Sequence, residues 1–199
     1  MCCFEEGPKE ILRAPLFCEL LEYAAMKKPA LILLFSLLSA NAFAGGVYQE
    51  PDAFIAEVFA ENPPKAELIW PNNALKAQIK DVLGHDYKGL RIRYWKQDKT
   101  TAWILDEIGK DKPITTGFVI NNGRIERVRV LIFRESRGWE IRHAFFTDQF
   151  DNAALNKDME LDSIIDNISG ATLSVRAVTK LARIALLLDK AVNEQQESQ

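Results

Sequence analysis

The sequence predicts an α+β fold: an antiparallel sheet flanked by helices, formed as a single domain after an N-terminal signal peptide. Three observations carry this expectation. Apolar residues recur every three to four positions near both ends of the chain, as amphipathic helices require. Between them lie several runs rich in β-branched and aromatic residues, separated by turn-forming residues. Ahead of both stands a charged start, a short apolar stretch and an A-x-A end.

The export segment reads Met26-Lys27-Lys28, then a Leu- and Ala-rich run from Ala30 to Ala40, then Ala42-Phe43-Ala44 before Gly45-Gly46. This pattern predicts a signal peptide over residues 26–44, cleaved after Ala44, and a periplasmic product. The apolar run is short for a spanning helix, so peripheral or no membrane contact is expected. Residues 1–25 carry Glu5, Glu6, Glu10, Glu19 and Glu22, which do not suit a signal-peptide start, and are read as an over-called start or an extension. All three cysteines, Cys2, Cys3 and Cys18, fall in that stretch. The expected mature chain therefore has no disulfide, no lipid-attachment cysteine and no haem thioether.

From Gly45 the elements follow in order. Phe54, Ile55, Val58 and Phe59 have helical spacing between Pro51 and Glu61, and Asn62-Pro63-Pro64 ends that helix. Leu75, Ile79, Val82 and Leu83 share one face of a second helix from about Asn73, with Gly84 placed to stop it. Leu90 to Trp95 and Thr101 to Leu105 read as strands joined at Lys96-Gln97-Asp98-Lys99. Ile114 to Ile120 and Arg124 to Phe133 form the clearest hairpin, because Asn121-Asn122-Gly123 can reach positive φ. Val128, Val130 and Ile132 are expected on one face and Arg127 and Arg129 on the other, with one face on helix and one in solvent. Trp139 to His143 has strand character, and Phe145, Phe146 and Phe150 follow as expected core. Trp139 fits either core packing or a stacked ligand, with core favoured by its type. A last helix after Thr172 carries Val178, Leu181, Ala185, Leu188 and Val192 on one side, and residues 193–199 form a polar tail.

Composition narrows function mainly by exclusion. With a formal net charge of -3 and a pI near 5.5, the chain lacks a basic footprint, so no nucleic-acid partner is expected. His85 and His143 stand far apart with no metal-ligand spacing, so no metal is expected. Asp106, Glu107 and Asp162 read as solvated surface, and no catalytic acid or base is assigned. Arg134, Arg137, Glu140 and Arg142 could decorate a docking surface.

One stretch names chemistry. Asp166-Asn167-Ile168-Ser169-Gly170-Ala171-Thr172-Leu173-Ser174 leads directly into the last helix. First-turn N–H groups lack partners inside a helix, and the helix dipole favours an anion there. Gly170 permits a sharp turn and close approach, while Ala171 keeps the surroundings of Thr172 small. Those residues admit two readings, a hydroxyl that caps a helix and a hydroxyl beside a phosphate.

The stretch resembles the D-x-x-[ST]-G-A-[ST]-x-[ST] attachment motif of the FMN-binding domain family. Further similarity runs from about residue 110 to 182, through Lys112-Pro113-Ile114, the Asn121-Asn122-Gly123 hairpin, Glu135-Ser136-Arg137-Gly138-Trp139-Glu140 and Gln149-Phe150. Flavin-bearing subunits of sodium-pumping NADH:quinone reductase and Rnf-type complexes are similar, with an E-T-x-G-x-G segment near the flavin. Glu135, Ser136 and Gly138 match that segment, whereas Glu140 replaces its last glycine. The resemblance implies FMN covalently joined through a phosphodiester to Thr172, with Asp166, Ser169, Gly170, Ala171, Ser174, Glu135, Ser136, Gly138 and Trp139 as cofactor-binding candidates. It also divides the chain into 45–109, an N-terminal helical and hairpin part, and 110–192, the FMN-binding domain.

The implied partners are a flavin transferase, with FAD as flavin donor, and a membrane or haem redox partner. The implied role is a secreted electron carrier passing electrons to periplasmic acceptors. An FMN-dependent reductase of a small molecule or ferric complex, and a non-redox binding or assembly module, are the alternatives.

Overall fold

The computed structural model describes residues 46–60 and 62–197. The expected signal peptide, its cleavage point and the segment before Met26 lie outside the described residues. Six strands form one antiparallel sheet: β1 (Gly46–Val47), β2 (Glu67–Ile69), β3 (Ile92–Gln97), β4 (Thr100–Ile108), β5 (Pro113–Asn121) and β6 (Arg124–Phe133), in the order β1-β6-β5-β4-β3-β2. Four helices accompany it: α1 (Pro51–Val58), α2 (Asn73–Leu83), α3 (Ala144–Thr147) and α4 (Thr172–Glu197). The α+β expectation is met. The sheet crosses the 109/110 boundary, since β4 pairs with β5 from Thr100↔Asn121 to Ile108↔Pro113.

Local chemistry accounts for the element ends. Asn72 caps α2 by accepting the Leu75 N–H at 2.8 Å, and Gly84, at φ 80°, ends it. In the β5–β6 hairpin Asn122 and Gly123 take φ values of 51° and 73°, as a type I′ turn requires. The shortest strands, β1 and β2, have too few residues to show an alternating pattern, and the sequence reading missed them.

α4 lies along the sheet. Val178, Leu181, Ala185, Leu188 and Val192 are all buried against Trp103, Phe118, Ile120, Val128 and their neighbours. Each of the Val and Leu side chains contributes about 1.5–3 kcal/mol of burial, so α4 is held by packing. The helix also continues through Glu197, across the expected polar tail; Asn193 donates to Asp189 Oδ2 at 3.2 Å and accepts from Lys96 Nζ at 2.8 Å.

Three expectations about the sheet need correction. Its second face is not left to solvent: α1 covers it, with Phe54, Ile55 and Phe59 packing with Trp95, Ala102, Val119 and Leu131. Gly117 makes this possible, because a Cβ there would stand 2.5 Å from the Phe54 ring. Arg127 and Arg129 do lie on this side, but at 2.8 and 3.8 Å from Glu57 of α1. Nor do Val128, Val130 and Ile132 share a face. Thr115 pairs with Ile132 and Thr116 with Val130, so Leu131 is an extra residue in a bulge. Beyond it the alternation is inverted: Phe133 joins Val130 in the larger core, while Leu131 and Ile132 turn to α1. Finally, residues 139–142 form a 3-10 turn in place of a strand. Phe146 and Phe150 are buried as expected, but Phe145 is 59% exposed and Trp139 is 38% exposed.

Candidate functional site

The site forms where the loop after β6 meets the start of α4. Residues of the 166–174 stretch divide into an outer and an inner set. Asp166, Ser169 and Gly170 are exposed, Gly170 at φ 84°, and the Ala171 N–H donates to the Ile168 carbonyl at 2.9 Å to close the turn. Ala171 and Ser174 are buried. Thr172 is half-buried between them, and its Oγ1 accepts a hydrogen bond from Asn167 Nδ2 at 3.0 Å. The N–H groups of Thr172, Leu173 and Ser174 have no acceptor within the helix, which leaves donors for an anion beside the hydroxyl.

Gly138 is the residue that joins the two sequence segments. It adopts φ 88°, and a Cβ on it would stand 2.7 Å from Ser174 Oγ and 3.4 Å from Ala171 Cα. Both the left-handed backbone and the missing side chain are needed for this contact. Trp139 follows directly at the surface, where the Arg142 guanidinium lies 4.9 Å from its ring and 4.6 Å from the Tyr48 ring. His143 meets Trp139 edge-on at 5.5 Å.

Glu135 faces elsewhere. Its Oε1 accepts the N–H groups of Lys110, Asp111 and Lys112 at 2.6, 2.6 and 2.9 Å. Burial opposes its charge, but the three N–H donors together outweigh that and hold the carboxyl below its ordinary range. Glu135 thus fixes the β4–β5 turn. Ser136 is exposed on the same loop.

The remaining carboxylates that the sequence presents as solvated surface are engaged. Glu107 is buried and lies 3.1 Å from His85 Nε2, a hydrogen bond that raises the histidine's pKa. Asp106 accepts from Thr115 Oγ1. Asp162 accepts the Ala154 N–H at 2.8 Å and lies 3.3 Å from Arg124, and both partners hold its pKa low.

Several site-shaping residues had no role assigned from the sequence. Asn167 sits inside the motif at a variable position, so only its bond to Thr172 reveals a role. Gln149 connects α3 to the turn: its Oε1 accepts the Asp166 N–H at 2.7 Å and its Nε2 donates to the Phe145 carbonyl at 3.0 Å. Arg176 and Lys180 follow Thr172 at helical spacing and, with it, line a groove of about 480 Å3. That spacing was a usable signal.

A half-buried helix-start hydroxyl, free amide donors and a neighbouring cation define an α+β domain suited to holding a phosphate-bearing group. Residues 109–187 match the family model of the FMN-binding domain. This part of the chain is a member of that family, and the protein is a flavin-binding protein. No curated protein and no solved structure matches the chain.

Proposed function

We propose that the protein is an exported electron carrier whose FMN is joined through a phosphodiester to Thr172. The observation that carries this reading is the placement of Thr172. Its hydroxyl stands on the first turn of a long helix, oriented by Asn167, next to unpaired backbone donors and within a groove that Arg176 also lines. The donor set suits a phosphate. No histidine or carboxylate is bonded to Thr172 Oγ1 among the described residues, so activation of the alcohol falls to the transferase that uses FAD as flavin donor.

When bound, FMN supplies redox chemistry. This chain's residues position it: the Gly138 contact and the Gln149 bridge fix the attachment turn, and the buried face of α4 fixes the turn to the sheet. A covalent tether suits an exported protein because it keeps the cofactor at high effective concentration where a dissociated one would be diluted. No helix among the described residues is long and apolar enough to cross a membrane. The exposed Trp139 and Phe145 near the site suit transient contact with a membrane or haem redox partner and a periplasmic acceptor.

Intact and peptide mass spectrometry of protein recovered from its native host tests the proposal. The expected result is a chain starting at Gly45 with one FMN on the peptide containing Thr172. Unmodified Thr172 in cells that contain the transferase would refute it.

A further inference from the structure

Thr172 is closed on one side and open on the other. On the closed side Gly138 contacts Ala171 and Ser174 so tightly that even a methyl group would not fit. On the open side the groove runs from Thr172 along α4, walled by Leu161, Ser163, Ile165 and Asn167. Its volume lies within the roughly 300–1,000 Å3 usual for small-molecule sites.

The groove has an apolar floor and a cationic rim. Leu161 and Ile165 pack on the main core, and Val175 is buried in it. Arg176 follows Thr172 by one helical turn, about 6 Å along the axis, and Lys180 by a second, about 12 Å. The other rim cations have structural partners. Arg183 donates to the Met159 carbonyl at 2.6 Å and lies 2.8 Å from Glu160, which holds the wall in place. Lys180 Nζ donates to the Leu83 carbonyl at the end of α2. Arg176 is exposed and makes no hydrogen bond or ion pair among the described residues.

We infer that this groove, and not the Trp139 side, seats the flavin tethered at Thr172, with Arg176 as the counter-ion of its phosphate. The inference rests on Thr172 being the attachment point. A phosphodiester keeps one negative charge, which a guanidinium one turn away can meet with two parallel N–H donors. The flat ring system needs apolar surface, and Leu161, Ile165 and Val175 provide it. An open groove suffices because the tether makes docking intramolecular. Positive charge at the rim favours the electron-rich form of whatever it holds, so Arg176 raises the cofactor's midpoint potential.

The test uses full-length protein produced together with the flavin transferase, with flavin on Thr172 confirmed by mass. Ile165→Trp places a quenching indole in the groove and is expected to lower flavin fluorescence several-fold. Arg176→Gln is expected to make the midpoint potential more negative and to increase quenching by acrylamide. Arg127→Gln removes the same charge on the far face of the sheet and is expected to change neither. Flavinylated Ile165→Trp and Arg176→Gln proteins with wild-type emission and potential would overturn the groove assignment alone. A wild-type chain lacking flavin on Thr172 would instead overturn the attachment reading, and the groove's occupant with it.

Discussion

The two ends of α4 carry similar polar groups in opposite circumstances. Near its C-terminal end, Asp189 is 1% exposed and accepts the Thr101 hydroxyl at 2.6 Å. That hydroxyl in turn accepts Trp103 Nε1 at 2.9 Å, so the chain of bonds from Asp189 to Trp103 is closed within the core. Burial pushes the Asp189 carboxyl above its ordinary range, while Thr101, Lys96 and Asn193 act the other way. At the N-terminal end Thr172 is half-buried, held by a single amide, and opens on a groove with the unpaired Arg176. The same helix thus has a satisfied end that fixes it to the sheet and an unsatisfied end presented outward. Satisfied buried groups read as architecture, and unsatisfied ones at a helix start read as a site.

The sharpest way to separate the two ends is to remove one group from each. Thr172→Ala is expected to abolish covalent FMN entirely while leaving the unfolding free energy within about 0.5 kcal/mol of wild type; absorbance of the purified, denatured protein near the flavin bands checks the first half and calorimetry the second. Covalent flavin at full stoichiometry in that variant would break the comparison. Asp189→Ala is the mirror experiment. It strands the Thr101 hydroxyl and opens a buried gap, so about 3 kcal/mol of stability is lost by urea titration, with flavin still attached to the folded fraction.

Glu135 stands three residues before Gly138, on the loop that meets the open end, but its carboxylate is bound like the closed one. Its folded pKa is lowered relative to the unfolded value, so its contribution is present above about pH 4.5 and disappears as pH falls through the folded pKa. Glu135→Gln should therefore cost about 2 kcal/mol at neutral pH, and the gap from wild type should shrink on acidification. A gap independent of pH would show that the charge is irrelevant to the turn.

Gly138→Ala probes the junction between loop and helix. The left-handed backbone and the close Ser174 Oγ predict a loss of roughly 1–2 kcal/mol, accompanied by slower flavin attachment in a timed assay. The smallest effect is expected on the far face. Glu57→Gln removes an exposed partner of Arg127 and should change stability by about 0.5 kcal/mol or less, with no change in flavin content.

How much of this was legible beforehand depended on how local the cause was. The α2 helix, the Asn122-Gly123 hairpin and the buried stripe of α4 follow from neighbours within a few residues, and each formed where its pattern placed it. The 139–143 segment did not. Its apolar and aromatic content suits a strand, but Gly138 in a left-handed conformation turns the chain away from the sheet into a 3-10 turn. Trp139 and Phe145 are left exposed as a consequence. At the site, the motif named Thr172, whereas Asn167, Gln149 and Arg176 gained meaning only from what stands beside them.

By itself, then, the sequence determined the fold class, the amphipathic helices, the main hairpin and the hydroxyl-bearing turn, because these arise from backbone preferences and periodicity over short stretches. Only the tertiary structure decided which face each end of β6 presents, that α1 covers the second side of the sheet, and that Gly138 meets Ser174 across 36 residues. A one-residue bulge inverts every side chain beyond it, and a contact between distant segments depends on the path of all the chain between them. Neither is written in any local pattern.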